Sequence, residues 1–246
     1  MYPKNETDQS FTYLKKVVES LDEPICLLGG WAVYLTLNKK YQAELKNEYL
    51  GLITTKNKNE FDESGTRHKL GISTKKLILV TLGRIGKIEY LVKMIVNEFS
   101  KLSDEYVLKI QIDPYLDKKM VLNIKKLANK SNVIISNFSP NLIEEINIAN
   151  LVIARGGYNI VSEILLTGTK AILFPEIGRT EEEVYRCEKL SKFKHIKCFN
   201  ENNVNEKQFV KAFKELLSMK QSKFDTKIVF DNKTIAKKML DIIGEK

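Results

Sequence analysis

The chain has 246 residues, of which 43% are hydrophobic, and its 40 Lys and Arg against 31 Asp and Glu give a formal net charge of +9. That length and apolar content suit one large domain, or a standard domain with a small companion, and exclude a disordered chain. The positive excess is spread without blocks of like charge, which fits either an anionic partner (nucleotide, nucleic acid or acidic membrane surface) or plain compositional bias. Three cysteines, Cys26, Cys187 and Cys198, form no C-x-x-C pair and have only His68 and His195 as companions, so neither a zinc site nor a disulfide framework is expected. The opening MYPKNETDQS shows no basic stretch leading into an apolar one, and no apolar run approaches the roughly 18 residues that span a bilayer. The expected location is cytoplasmic, with any membrane contact peripheral.

In chain order, residues 1–51 read as a small, mainly helical segment, and residues 52–75 as a linker, because LITTKNKNEFDESGTRHKLGISTK is polar, charged and without clear periodicity. From residue 76 the pattern becomes regular. Short runs rich in Val, Ile and Leu (77–82, 107–112, 133–135, 151–153 and 171–174) alternate with segments of helical spacing near 88–101, 116–129, 140–147, 159–167 and 180–192. The runs are continuously apolar, as when both faces of a strand are covered, and this predicts an α/β fold with a doubly wound, Rossmann-like parallel sheet over 76–246. Amphipathic helices over 206–218 and 232–243 follow, and no internal repeat is found.

Ligands of such sheets bind beyond the carboxyl ends of the strands, where helix N-termini offer free N–H groups to anions. Two loops meet that rule. TLGRIGK, Thr81 to Lys87, follows the opening strand; Gly83 and Gly86 permit tight backbone geometry, and Arg84 and Lys87 supply positive charge. It is neither a G-x-G-x-x-G fingerprint nor a P-loop. ARGGYNIVSE, residues 154–163, places Gly156 and Gly157 where the backbone could approach a ligand closely. Asn159 is expected to cap the following helix, and Glu163 lies about one turn in, within reach of a ligand's hydroxyls. The alternative is an ordinary strand-to-helix turn with Glu163 solvated.

The stretch ANLVIARGGYNIVSEILLTGTKAILFPEIGRTEEEVYRCEKL resembles the C-terminal, donor-binding half of GT-B glycosyltransferases, namely those related to the lipid II N-acetylglucosaminyltransferase and to the small catalytic subunit of the dolichol-linked N-acetylglucosamine transferase. The resemblance runs over roughly residues 76–220. It implies that the helix start holds a nucleotide diphosphate, that Glu163 takes the ribose hydroxyls, and that Arg155, Gly156, Gly157, Tyr158 and Asn159 form the close-approach segment. The Gly83–Gly86 loop with Arg84 would then face the phosphates or the acceptor. After Pro175, where relatives often carry an amide that contacts the sugar, this chain offers Arg179, Thr180 and Glu181. The implied activity is inverting, metal-independent transfer of a sugar, an N-acetylhexosamine, from a UDP-sugar substrate to a hydroxyl acceptor, without a cofactor. No catalytic residue is assigned; His68 is the one candidate for a general base. A GT-B cleft needs two comparable halves and this chain has room for the donor half alone, so the resemblance implies a partner protein that supplies the acceptor site. A non-catalytic nucleotide-binding or regulatory module is the alternative, and no nucleic-acid motif is present.

PICLLGGWAVYLTLNKKYQ, residues 24–42, resembles the opening of nucleotidyltransferase-like proteins, with Gly29, Gly30, Trp31 and Ala32 matching. Gly51 is followed by LITTKNKNE where paired acids belong, and no D-x-D pair occurs in the chain. Two-metal nucleotidyl transfer needs carboxylates clustered at one strand end, so the segment reads as degenerate. Incubation with ATP, CTP, GTP or UTP and Mg²⁺ or Mn²⁺ is expected to release no pyrophosphate; metal-dependent release would restore the nucleotidyltransferase reading.

Overall fold

The computed structural model describes residues 54–176, 181–220, 233–235 and 237. The nucleotidyltransferase-like motif at Gly29–Ala32 and most of the terminal helix expected over 232–243 lie outside these residues. The chain divides into two compact units, Met1–Thr54 with Lys227–Lys246, and Thr55–Thr226. All that follows concerns the second.

Its elements are α1 (Glu63–Leu70), β1 (Lys76–Thr81), α2 (Ile88–Phe99), β2 (Tyr106–Gln111), α3 (Lys118–Leu127), β3 (Val133–Ser136), α4 (Leu142–Ile148), β4 (Ala149–Arg155), α5 (Tyr158–Thr167), β5 (Ala171–Phe174), α6 (Glu181–Leu190), β6 (Ile196–Cys198) and α7 (Glu206–Ser218). The strands form one six-stranded sheet in the order β3-β2-β1-β4-β5-β6. Every pairing is parallel. The fold is the expected doubly wound α/β sheet.

Two elements depart from the sequence reading. The described part of the segment read as a linker contains α1, whose ends are fixed by capping that its polar composition hid. The Asp62 carboxylate accepts from Gly65 N at 2.8 Å, and Gly71 closes the helix at φ +64. Strand β6 is only three residues long, Ile196–Cys198, too short to show as an apolar run.

One face of the sheet carries Ile78, Val80, Ile110, Ile153, Ile172 and Phe174, packed with residues of α2, α3 and α7 in one core cluster. Phe174 and Phe199 lie 6.1 Å apart, Phe174 and Phe209 6.2 Å, and Phe209 and Phe213 5.8 Å, so an aromatic stack pins α7 to β5. The opposite face meets α4 and α5 and includes a buried ion pair. Lys109 in the middle of β2 reaches Glu145 of α4 at 2.5 Å, with 4% and 7% of the two side chains exposed. Ser139 donates to the other Glu145 oxygen at 2.8 Å.

A buried pair of this kind contributes little net stability while intact, because desolvation offsets its attraction, but breaking it strands a charge. Lys109→Ala is expected to destabilise the domain by about 3 to 5 kcal/mol, whereas joint replacement by Met at 109 and Leu at 145 is expected to be near neutral. Denaturant melts of the two variants check this.

Candidate functional site

Strand order reverses between β1 and β4, whose ends lie side by side with Thr81 opposite Ala154. In open α/β sheets such a reversal opens a crevice beyond the strand ends. The two glycine-bearing loops singled out in the sequence lead away from these two strands, so the fold brings them together.

Each loop has one glycine packed against the chain and one open. Gly86, at φ +91, leaves no room for a side chain: a Cβ there would lie 2.4 Å from a Glu201 oxygen and 2.6 Å from Arg155 Nη2. Gly83, at φ +64, has nothing within 4 Å of the corresponding point. In the second loop, a Cβ on Gly156 would approach the Cys187 sulfur of α6 to 2.9 Å, while the nearest atom to one on Gly157 is a Glu183 oxygen at 3.7 Å. Gly86 and Gly156 therefore serve the protein's own packing. Gly83 and Gly157 are the positions at which a ligand can meet bare backbone.

Arg155 is committed to the scaffold. Its Nε donates to Leu82 O at 2.9 Å, and its Nη1 to Phe174 O at 3.3 Å and to Glu201 at 2.9 Å. Its Nη2 donates to Ile85 O. Glu201, 5% exposed, also accepts from Lys87 N at 3.0 Å. Lys87 is the N-cap of α2, so the chain's own carboxylate meets the start of that helix.

Helix α5 begins differently. Its N-cap is Gly157, and among the described residues no side-chain cap bond is made there. Asn159, expected to be the cap, is the second helical residue and is exposed. Free N–H groups at a helix start beside a glycine are the kind of position at which anions bind. Arg186 of α6 borders it, donating to Gly156 O at 2.5 Å and standing 5.9 Å over the Tyr158 ring. Glu183 borders it too, with one oxygen accepting from Glu176 N at 2.8 Å. Arg84 is exposed and lies 5.4 Å from the Tyr115 ring. Glu181 opens α6, whereas Arg179 and Thr180 fall outside the described residues.

Glu163 lies on α5 and is 9% exposed. Burial pushes its carboxyl up to about 7, with the Thr55 hydroxyl beside it acting in the opposite direction. His68, by contrast, is exposed on the last turn of α1. Its neighbour Arg67 bonds Lys75 O at 3.0 Å and Ile148 O at 3.4 Å, at the amino ends of β1 and β4. That is the opposite edge of the sheet from the crevice, which removes His68 as a base.

Residues 77–241 match the model of the glycosyltransferase family 28 C-terminal domain. The chain belongs to this family. No curated protein sequence matches it significantly. Among solved structures, the family 28 chain is similar to Staphylococcus aureus MnaA in its UDP co-structure, with 14% identity, TM-score 0.57, and 75% of this chain and 49% of that one covered. It is also similar to a proposed UDP-N-acetylglucosamine 2-epimerase from Listeria monocytogenes (13% identity, TM-score 0.54, coverage 71% and 46%). Acinetobacter baumannii MurG is similar at 19% identity and TM-score 0.47, with 58% and 42% covered. The first two similarities show the fold, and the chain spans less than half the length of each of the three structures. Among the described residues of this family 28 domain, no helix is long and apolar enough to cross a membrane, and no cluster of His, Cys, Asp and Glu is arranged to hold a metal.

The raised Glu163 carboxyl has a consequence for stability. Below its ordinary value of 4.5 the group is protonated in both folded and unfolded chains. Between 4.5 and about 7 the unfolded chain gives up a proton that the folded chain keeps, so stability falls as pH rises and the loss is complete above about 7. Glu163→Gln is therefore expected to raise the unfolding free energy by about 2 kcal/mol near pH 8, allowing for residual solvent screening, and to leave it unchanged near pH 4. Denaturant melts at the two pH values check the sign.

Proposed function

We propose that this family 28 domain is the donor-binding part of a GT-B glycosyltransferase that takes a UDP-sugar, an N-acetylhexosamine donor, and passes the sugar to a hydroxyl acceptor presented by a partner. The observation that carries the reading is Glu163: a buried carboxyl on the helix whose glycine start borders the crevice, with the Thr55 hydroxyl beside it. Burying a carboxyl there is costly to folding, as is common where a group is kept for binding. The UDP in the S. aureus MnaA co-structure and the UDP-sugar in the description of the Listeria protein support a uridine nucleotide as the ligand class.

In this reading the diphosphate lies at the start of α5, against Gly157 and Tyr158, with Gly83 and Arg84 facing it from the other loop. Glu163 accepts from the ribose hydroxyls. As the acceptor oxygen attacks the anomeric carbon, negative charge grows on the leaving diphosphate, and the oriented N–H groups of α5 with Arg84 stabilise it without a metal ion. The proton of the acceptor hydroxyl needs a base. With His68 at the far edge of the sheet, that base is assigned to the partner. A nucleotide-binding module without catalysis is the second reading, favoured by the position of His68 away from the crevice.

Titration calorimetry is expected to show UDP binding by the purified protein, weakened by about 1 to 3 kcal/mol in Glu163→Ala. Equal affinities would remove Glu163 from the site. Labelled UDP-sugar is expected to be transferred only when the acceptor-presenting partner is added. Transfer by the chain alone would show that it carries its own acceptor site, and binding without transfer in every combination would favour the non-catalytic module.

A further inference from the structure

A cavity of about 320 Å³ lies between α1 and α4, and neither Gly83, Arg84, Gly157 nor Glu163 lines it. Among the described residues that do, Leu70 alone is apolar. Asp62, the N-cap of α1, and Thr66 and Lys69 within that helix reach the cavity from positions i, i+4 and i+7, which fall on one stripe of a helix. Glu144 and Glu145 form the wall on α4. Both are buried, 4% and 5% exposed, and both are already met by cations. Glu144 takes Lys56 at 2.5 Å and Asp62 N at 3.1 Å, while Glu145 takes Lys109 and Ser139.

Two charges of the lining are left over. Asp62 has one carboxylate oxygen on Gly65 N, and among the described residues neither Asp62 nor Lys69 enters an ion pair. They stand about 10 Å apart along the helix axis, and the stem of Lys69, leaning toward the helix start, shortens that span. The cavity therefore has an acidic end and a basic end that the protein does not itself neutralise.

An apolar ligand would strip water from these walls and return no hydrogen bonds. A ligand of one sign fares little better, because an anion held by Lys69 shares the cavity with Asp62, and a cation held by Asp62 shares it with Lys69. A ligand with both signs, one at each end, meets a partner at each. From this we infer that the groove between α1 and α4 binds a small zwitterion of the ω-amino acid class, its ammonium on Asp62 and its carboxylate on Lys69. The volume lies at the lower limit of small-molecule sites, which suits a ligand of that size. The site is separate from the crevice and holds whether or not the crevice takes a UDP-sugar.

The test is a nuclear magnetic resonance titration of the isotope-labelled full chain with 6-aminohexanoate at low salt, beside hexanoate and hexylamine, which keep one charge each on a chain of the same length. The zwitterion is expected to shift the amide signals of Thr66, Lys69 and Glu144 saturably, with a dissociation constant of about 1 mM or below. Each single-charge compound is expected to bind at least about tenfold more weakly. Asp62→Asn retains a good N-cap and Lys69→Gln retains helix propensity, and each is expected to weaken 6-aminohexanoate about tenfold. Lys93→Gln, at an exposed position of α2, is the control for general charge and is expected to stay within about twofold of wild type. Circular dichroism checks that every variant is folded. An absence of saturable shifts, single-charge compounds that bind as tightly as the zwitterion, or folded Asp62→Asn and Lys69→Gln variants that bind like wild type would each overturn the inference.

Discussion

The arrangement of the crevice depends on a single guanidinium. Arg155, at the last position of β4, holds the carbonyl of Leu82 after β1, that of Phe174 at the end of β5, and the carboxylate of Glu201 beyond β6. Four strand ends are thereby tied to one planar group whose donor directions are fixed. Glu201 completes the knot by holding Lys87 N, which sets the entry to α2. Gly86 is glycine because this carboxylate occupies the space where a side chain would stand. With the knot in place, the β1 loop presents Gly83 and Arg84 outward while its other half is locked.

The two helix starts at the strand reversal are thus not equivalent, although the sequence presents them alike. One is met by the protein's own carboxylate, and the other has no side-chain cap bond among the described residues. Any anion at the first would have to displace Glu201 from Lys87 N. The asymmetry separates loops with similar glycine content: the start of α2 is filled by the protein's own Glu201, while Gly157 at the start of α5 faces open space.

The sheet and most of its helices were legible because buried parallel strands leave continuous apolar runs, and because the helical segments between them are long enough to show their period. The glycine pairs were legible as special but not as divided in purpose, since that division comes from Cys187 and Glu201, distant in sequence. Arg155 read as a ligand contact for the same reason: its partners Leu82, Phe174 and Glu201 are adjacent only once the strands are ordered. Helix α1 was hidden by its polar composition and betrayed only by Asp62 and Gly71 at its ends. Glu163 was singled out through its place in a motif; its burial could not be read, because it depends on what covers α5.

The central pairing of the sheet joins Leu77 to Ala149, with β2 and β3 lying between them in the chain. During synthesis β1 emerges long before its β4 neighbour, so one of its edges stays open while α2, β2, α3 and β3 assemble on the other. A long-range parallel contact of this kind has a high entropic cost of closure and is intrinsically slow. The crevice at that junction is therefore among the last features the nascent chain completes, and until then β1 exposes an apolar edge that other chains can pair with.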